Sequence, residues 1–267
     1  MKSSPLRRAL LLGMVLFAWP APSGAPIKAT LSPDTAAAYE RILQALRPRI
    51  EKEVPRSGFL GVDRKPASLR KLRNGEILVR PGKLPGISVR GGIAHFWAGA
   101  MFDPGSDVQA YARVLLAFGQ HHEYYPDVVR SRLESQDGGT YRSRLRIVKT
   151  KVLTATLDAD FETDVLTESR DLVFLYSRAT RIQEVENPGS ADEKILPVGQ
   201  DSGFLWRQDA YWRLSQEPDG AYVELITLSL SRDIPTGLGW MIRPFLTSVP
   251  KETIEQTLQA TRLAVHR

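Results

Sequence analysis

Cysteine is absent from this chain of 267 residues. Its absence excludes structural disulfides, thiolate chemistry and a membrane anchor attached through a lipid-modified cysteine. The folded state must therefore be held by its hydrophobic core, and the chain is long enough to form one. Hydrophobic residues make up 42% of the sequence and charged residues 25%, which is typical of a globular protein.

Several motifs of common enzymes are also missing. There is no Gly-x-Ser-x-Gly hydrolase elbow, no phosphate-binding loop and no dinucleotide fingerprint. Histidine is scarce, and the neighbouring His121 and His122 would point about 100° apart on a helix, which does not suit one shared ion. We predict neither a metal nor a cofactor. His95, beside Phe96 and Trp97, is expected to pack in the core or to bond cavity contents.

A long hydrophobic run is missing too, although the first 25 residues form a leader. Lys2, Arg7 and Arg8 precede an apolar run at residues 9–19, which is too short to cross a bilayer. Small residues follow and end at Ala25. This pattern predicts a secretory signal peptide cleaved after Ala25, and hence a periplasmic or secreted protein; an uncleaved anchor is the alternative.

The excess of positive over negative charge is small once the leader is left out. The leader holds three of the 36 Lys and Arg residues and none of the 30 Asp and Glu residues, which leaves a net charge of about +3. We therefore predict no nucleic-acid partner. The basic residues of segment 56–83 are spread out, which favours a solvated face and leaves a transient membrane-surface contact as the alternative.

The remaining chain divides into a lead-in at residues 26–85 and a domain at residues 86–267. A helix is predicted from Pro33 to about Val54, ended by Pro55, and a loose basic segment follows it. From residue 86 the order is a strand, two helices, six strands and a long closing helix. Antiparallel strands with helices on one side indicate an α+β fold.

Two alternating stretches near the end, residues 211–216 and 222–231, predict a hairpin. The intervening Glu217-Pro218-Asp219-Gly220 suits a three-residue loop, which pairs Glu217 with Ala221 and Trp212 with Ile226. One face of the hairpin is then predicted to carry the apolar side chains of Trp206, Trp212, Leu214, Ile226, Leu228 and Leu230. The other face carries Asp209 and Arg213, among others.

The closing helix is predicted to begin near Pro250, with Ser248 as its cap. Helical spacing of Ile254, Leu258, Thr261 and Val265 gives one apolar stripe, which we expect to pack on the apolar face of the sheet.

This order of elements, with a helix closing a curved antiparallel sheet, resembles the START-like (SRPBCC) helix-grip superfamily of polyketide cyclases, coenzyme Q-binding proteins and plant hormone-binding proteins. The resemblance also rests on the segment YYPDVV at residues 124–129 and on the strand at residues 206–214. It implies a cavity between the sheet and the last helix that holds an apolar or amphipathic molecule, such as a lipid, a quinone or a polyketide-like compound. The leader would place the chain in an exported bacterial subgroup.

Ten residues are predicted to contact this ligand, with core filling as the alternative for the aromatic ones. Glu224 and Arg232 would orient a polar head group, or else form a structural ion pair or lie exposed at the sheet edge. An apolar segment at residues 240–246 could act as a lid. The predicted ligand-binding residues are Trp97, Tyr141, Phe204, Trp206, Trp212, Glu224, Ile226, Arg232, Trp240 and Phe245.

Two other functions stay open at this point. A cyclase or dehydratase would use Glu224, Arg232, Tyr141 or His95 as acid–base groups, and a domain with a filled core would act through protein contacts. Rows of charge alternate on two neighbouring strands and are expected to pair across the solvent side of the sheet rather than to do chemistry. These rows are Arg142, Arg144 and Arg146 on one strand and Asp158, Asp160, Glu162 and Asp164 on the next.

Overall fold

The computed structural model describes residues 28–57, 65–150, 154–234, 237 and 248–267. Its helices are α1 (Pro33–Ser57), α2 (Pro66–Arg73), α3 (Val108–Leu116), α4 (His121–Tyr124) and α5 (Val249–Val265), with a 3-10 turn at Phe118–Gln120. The strands are β1 (Ala29–Thr30), β2 (Leu78–Pro81), β3 (Gly92–Pro104), β4 (Val128–Asp137), β5 (Thr140–Thr150), β6 (Thr154–Glu168), β7 (Leu172–Glu186), β8 (Lys194–Ile195), β9 (Gln200–Asp201), β10 (Arg207–Glu217) and β11 (Gly220–Arg232).

One large antiparallel sheet organises the molecule. Its strand order is β2-β3-β11-β10-β7-β6-β5-β4, with β8 added beside β7, and β1 pairs with β9 in a separate two-stranded sheet. We call the face under α5 the inner face and the face under α1 the outer face. The predicted α+β architecture and the predicted helix-grip arrangement are confirmed.

Helix α5 packs on the inner face as its apolar stripe predicts. Ile254 and Leu258 are fully buried, and each buried side chain of this size contributes roughly 1.5–3 kcal/mol. They lie over Gly99 of β3, where a Cβ atom would overlap both side chains. Pro250 stands in the first turn, and Ser248 is the N-cap residue without a side-chain capping bond.

Helix α1 covers the outer face, which makes the lead-in part of the same packed unit. Its buried stripe shares one core with the outer-face side chains of β7, β10 and β11. The helix runs to Ser57, so the prediction that Pro55 ends it was wrong. Strand β2, from the same lead-in, forms the edge of the sheet beside β3. The residues of the stripe are Tyr39, Ile42, Leu43, Leu46 and Ile50.

The predicted register of the β10–β11 hairpin was wrong by one residue. Glu217 pairs with Gly220 and Trp212 with Leu225, so the loop holds only two residues. The prediction places Gly220 in the loop, whereas this residue begins β11 and also pairs with Pro104 of β3. A Cβ atom at Gly220 would overlap the backbone of β3, so this close approach of the two strands requires glycine.

The charged rows pair across β5 and β6 as predicted. Arg142 lies 2.8 Å from Glu162, and the guanidinium of Arg144 lies 2.7 Å from Asp160. In the adjacent pair, both Nε and NH2 of Arg146 donate to Asp158, at 2.7 and 2.8 Å. These rows therefore stabilise the sheet on its outer side and leave the inner sides of β5 and β6 apolar.

Candidate functional site

A cavity of about 300 Å³ lies between the inner face and the N-terminal half of α5. Strands β5, β6, β7, β10 and β11 supply much of its wall. Further lining residues come from β3, β4, the segment 204–205, the helices α3, α4 and α5, and the 3-10 turn. Most lining side chains are aliphatic or aromatic. They are Leu115, Phe118, Val128, Leu145, Ile147, Ala155, Leu157, Phe161, Leu175, Phe204, Leu205, Ala210, Trp212, Leu225, Val249, Pro250 and Ile254.

The wall follows from the alternation of side chains along each strand. On β5, Ser143, Leu145 and Ile147 line the cavity, while the arginines between them point to the outer side. On β11 the same period brings Leu225 and Thr227 to the cavity. The site is thus built on strands of the sheet, whose positions are fixed by hydrogen bonds on both sides.

Hydroxyl groups interrupt this apolar wall. Thr163 Oγ1 donates to Ser177 Oγ at 2.8 Å, which satisfies one pair across β6 and β7. Ser143 is 2% exposed, and its Oγ has no hydrogen-bond partner among the described residues. A buried hydroxyl without a partner is uncommon, since buried polar groups are nearly always bonded. Among the described lining residues, Ser143 therefore has a fully buried hydroxyl whose hydrogen bond is unused.

His95 of β3 lines the cavity in its neutral form. Its Nε2 lies 2.8 Å from Ser231 Oγ. Burial lowers the pKa of His95 to about 4 because the protonated ring would lose its hydration. At neutral pH this imidazole offers a dipole and no charge.

His121 of α4 is also neutral and links α3 to Tyr125 in the cavity wall. Its Nε2 lies 3.0 Å from the carbonyl oxygen of Leu115, to which it can donate. Burial lowers the pKa of His121 to about 4, although hydrogen bonds to the backbone of α3 oppose the shift. The ring meets Tyr125 edge-on, and the Tyr125 hydroxyl lies 3.1 Å from Thr261 Oγ1 on α5.

The charged lining residues are a pair. Lys149 Nζ donates to Asp127 and also to Gln256 Oε1 on α5, the latter at 3.1 Å. Both charged side chains are partly exposed, so the pair lies at the edge of the cavity. Opposite charges neutralise each other there, and the described wall carries no other formal charge at neutral pH.

Two predicted ligand contacts, Phe204 and Trp212, line the cavity. Two more lie close by without lining it. Trp97 is on the inner face of β3, between His95 and Gly99, and Tyr141 packs on Phe118 with ring centroids 5.5 Å apart. Without a bound ligand, the contact roles of these residues stay predictions.

Glu224 and Ile226 do not line the cavity, because the one-residue slip in register reverses the faces of β11. Both lie on the outer face, Ile226 in the core beneath α1 and Glu224 opposite Arg213. Trp206 also packs in that core, and its Nε1 donates to Asp201 Oδ1 at 2.9 Å. Placing these side chains in the cavity was therefore wrong.

Arg232 is held beside β9 and away from the cavity. Its NH1 donates to the carbonyl oxygen of Ser202 at 3.3 Å, and burial lowers its pKa. It is therefore a structural group rather than a head-group ligand. Trp240, Phe245 and the predicted lid at residues 240–246 lie outside the described residues.

Sequence reasoning missed the wall formed by β5, β6 and α4, including Ser143 and His121. The signal was present, since the sides of β5 and β6 opposite the charged rows are apolar. Within the described ranges, no group of three His, Cys, Asp or Glu residues could hold a metal ion. Within the same ranges, no helix has both the length and the apolar character needed to span a membrane.

No family model and no curated protein matches the sequence. Among solved structures, a STAR-related lipid transfer protein from Xanthomonas axonopodis is 16% identical, with 71% of this chain and 99% of that chain covered and a TM-score of 0.45. Human STARD10 is 10% identical, with 79% and 82% covered and a TM-score of 0.44. The Zhui aromatase/cyclase from a Streptomyces species is 12% identical, with 66% and 93% covered and a TM-score of 0.44.

The chain has a START-like helix-grip fold. Its own strand order and the position of α5 across the inner face carry this assignment, because likenesses at such low identity and TM-score bear on the fold at most. The function of this chain must therefore be inferred from its cavity.

Proposed function

We propose that this protein binds and carries an apolar or amphipathic small molecule, such as a lipid, a quinone or a polyketide-like compound. The observation that supports the proposal is a cavity of about 300 Å³ with a mainly apolar wall. Ligand sites typically measure about 300–1,000 Å³ and combine apolar walls with a few polar groups. A core that served packing alone would contain few voids larger than one water molecule.

The leader supports a second part of the proposal, namely that the carrier works in the periplasm or outside the cell. A basic start, an apolar run and a small-residue site ending at Ala25 are the features of an exported chain. Carriage of a poorly soluble molecule between membranes would suit such a location. Comparing the N-terminus of the purified mature protein with the sequence tests this part.

Binding without chemical change is the function that the geometry favours over a cyclase or dehydratase. Of the four acid–base groups predicted for an enzyme, His95 alone lines the cavity. Glu224 lies on the outer face and Arg232 beside β9, while Tyr141 packs on Phe118 without lining the cavity. Acid–base catalysis needs groups within hydrogen-bond reach of one reacting point, and this set does not converge.

Filling the cavity tests the proposal directly. Ala210 lines the cavity and is 8% exposed, so Ala210→Phe places a ring in the void. We expect the variant to keep its melting temperature and to lose at least tenfold in affinity for the neutral fluorescent probe N-phenylnaphthylamine. Ala191→Phe, on an exposed loop, is the matched control and should bind the probe as the wild type does.

Native mass spectrometry of protein purified from its own envelope provides an independent check. We expect a co-purifying apolar molecule in the wild type and less of it in Ala210→Phe. Probe binding that is equal in wild type, Ala210→Phe and Ala191→Phe, together with an empty native protein, would contradict the proposal.

A further inference from the structure

Ser143 offers the cavity an unused hydrogen bond. It lies near the middle of β5, between Leu133 of β4 and Phe161 of β6 in the sheet register. Its side chain points to the inner face, since Leu145 and Ile147 at the same period line the cavity as well. The hydroxyl is buried and has no partner in the described part of the chain. Since no described residue completes this bond, a molecule in the cavity could supply the missing partner.

The surrounding wall excludes a charged partner for that hydroxyl. His95 and His121 are neutral at neutral pH because burial lowers the pKa of each to about 4. Lys149 and Asp127 neutralise each other at the edge. An ion drawn into the cavity would lose its hydration and meet no counter-charge among the described lining residues, which is strongly unfavourable.

The size of the cavity limits the ligand further. At about 300 Å³ it stands at the lower end of the range for drug-sized ligands. It suits a single chain or a compact ring system rather than a molecule with two long chains.

Given the proposed carrier function, on which this inference rests, we propose that the ligand is a compact uncharged molecule with a hydroxyl or carbonyl group, and that Ser143 selects it by hydrogen bonding to that group. A serine hydroxyl both donates and accepts, so it recognises either group. The apolar wall then holds the remainder of the molecule without directional contacts.

Four probes with the same ring system separate charge from polarity: naphthalene, naphthalenemethanol, naphthoate and naphthylmethylammonium. Calorimetry with the wild-type protein at neutral pH is expected to show naphthalenemethanol binding more tightly than naphthalene. Both ionic probes should bind at least tenfold more weakly than naphthalenemethanol, because neither finds a counter-charge.

Ser143→Ala sharpens the test. We expect this variant to lose five- to tenfold in affinity for naphthalenemethanol, the range of one net hydrogen bond, and to bind naphthalene unchanged. Its melting temperature should not fall, since the hydroxyl has no partner to lose. Ser135→Ala, on the exposed side of β4, is the matched control and should match the wild type with every probe. If Ser143→Ala does not fold, Ser143→Cys keeps the shape, weakens the hydrogen bond and gives the same comparison.

Each contrary result has a distinct meaning. Tightest binding of naphthoate or naphthylmethylammonium would overturn the inference and leave the carrier function standing. An equal loss for naphthalene and naphthalenemethanol in Ser143→Ala would show a packing role and also overturn it. A wild-type protein that binds none of the probes, nor N-phenylnaphthylamine, would contradict the carrier function itself.

Discussion

The two faces of the central strands are both apolar, yet they differ, because the inner face borders a cavity. On β11, Leu228 points outward and Leu225 inward, with exposures of 3% and 4%. Leu228 meets the closely packed stripe of α1, whereas Leu225 borders the cavity. Equal burial therefore conceals a difference in contact. The outer face beneath α1 is a packed core, whereas the inner face is a packed core in one part and the wall of a cavity in another.

Each face holds its helix through a buried carboxylate that acts near one end of the helix. On the outer face, Asp209 accepts hydrogen bonds from Tyr39 of α1 and from Tyr176 of β7. The bond reaches the first turns of α1, where the helix crosses the central strands. These hydrogen bonds hold α1 against the outer face of the sheet.

On the inner face the carboxylate is Asp103, at the end of β3. It accepts a hydrogen bond from Tyr111 of α3 at 2.6 Å and another from Ser106, and it lies 2.8 Å from His266 Nε2, just after α5. This cluster fixes the C-terminal end of α5. The N-terminal half, with Pro250 and Ile254, borders the cavity instead. The anchored end of α5 and the cavity therefore lie at opposite ends of this helix.

The largest difference between the two faces is expected in the free energy of unfolding when a leucine side chain is truncated on one face or the other. Leu228→Ala should lower the free energy of unfolding by about 4 kcal/mol, because it opens a cavity in a packed core. Leu225→Ala should lower it by about 2 kcal/mol, since a side chain beside a void has fewer contacts to lose. Denaturant unfolding of both variants measures the difference.

The affinity for a ligand provides a second comparison of the Leu225→Ala and Leu228→Ala variants. Leu225→Ala should change the affinity for N-phenylnaphthylamine, and Leu228→Ala should not. Equal losses of stability together with equal binding would show that the inner face is packed like the outer one, and the comparison would fail.

A smaller effect is expected from the hydrogen bond that seats α1. Tyr39 donates to Asp209 at 2.6 Å and to the carbonyl oxygen of Leu228 at 2.9 Å, and it is fully buried. Tyr39→Phe should lower the free energy of unfolding by about 2 kcal/mol, the usual range for a hydrogen bond to a charged group. Tyr124→Phe removes an exposed hydroxyl that bonds Gln120 and serves as the control, with a change below about 0.5 kcal/mol. Equal effects of the two substitutions would argue against the role of Asp209.

Much of this fold could be predicted because local signals and packing agree. Asp107 caps α3 by accepting a hydrogen bond from the amide of Gln109 at 2.9 Å, and an Asp before an apolar stripe is a local signal for such a cap. The stripe of Ile254 and Leu258 meets the sheet as expected. The hairpin register failed because Gly220 suits a turn by its own conformational freedom, whereas a third strand, β3, decides its position.

The site was harder to predict than the fold for two physical reasons. A register error of one residue reverses the faces of a strand, which moved Glu224 into the predicted cavity. The alternation of apolar side chains along a strand, moreover, does not show which face of the sheet is covered by closely packed side chains. That depends on α1, whose Tyr39 meets Asp209 at a separation of 170 residues in the chain. No local sequence pattern around Tyr39 or around Asp209 predicts that contact.

The smallest of the three effects is a dependence on pH that the inner cluster should show. Burial tends to raise the pKa of Asp103, but the hydrogen bonds from Ser106, Tyr111 and His266 outweigh it and hold the pKa below its usual value of 3.8. The unfolded chain therefore takes up this proton first as the pH falls. The stabilisation is complete above pH 3.8 and is lost below it, toward the lower pKa of the folded state.

Asp103→Asn should remove this component, so the difference in the free energy of unfolding between wild type and variant should shrink as the pH is lowered from 6 to about 3. Urea unfolding at several pH values measures that difference, and Asp192→Asn, on an exposed loop, is the control. A difference that stays constant over the whole range would mean that the carboxylate does not hold the end of α5 by its charge.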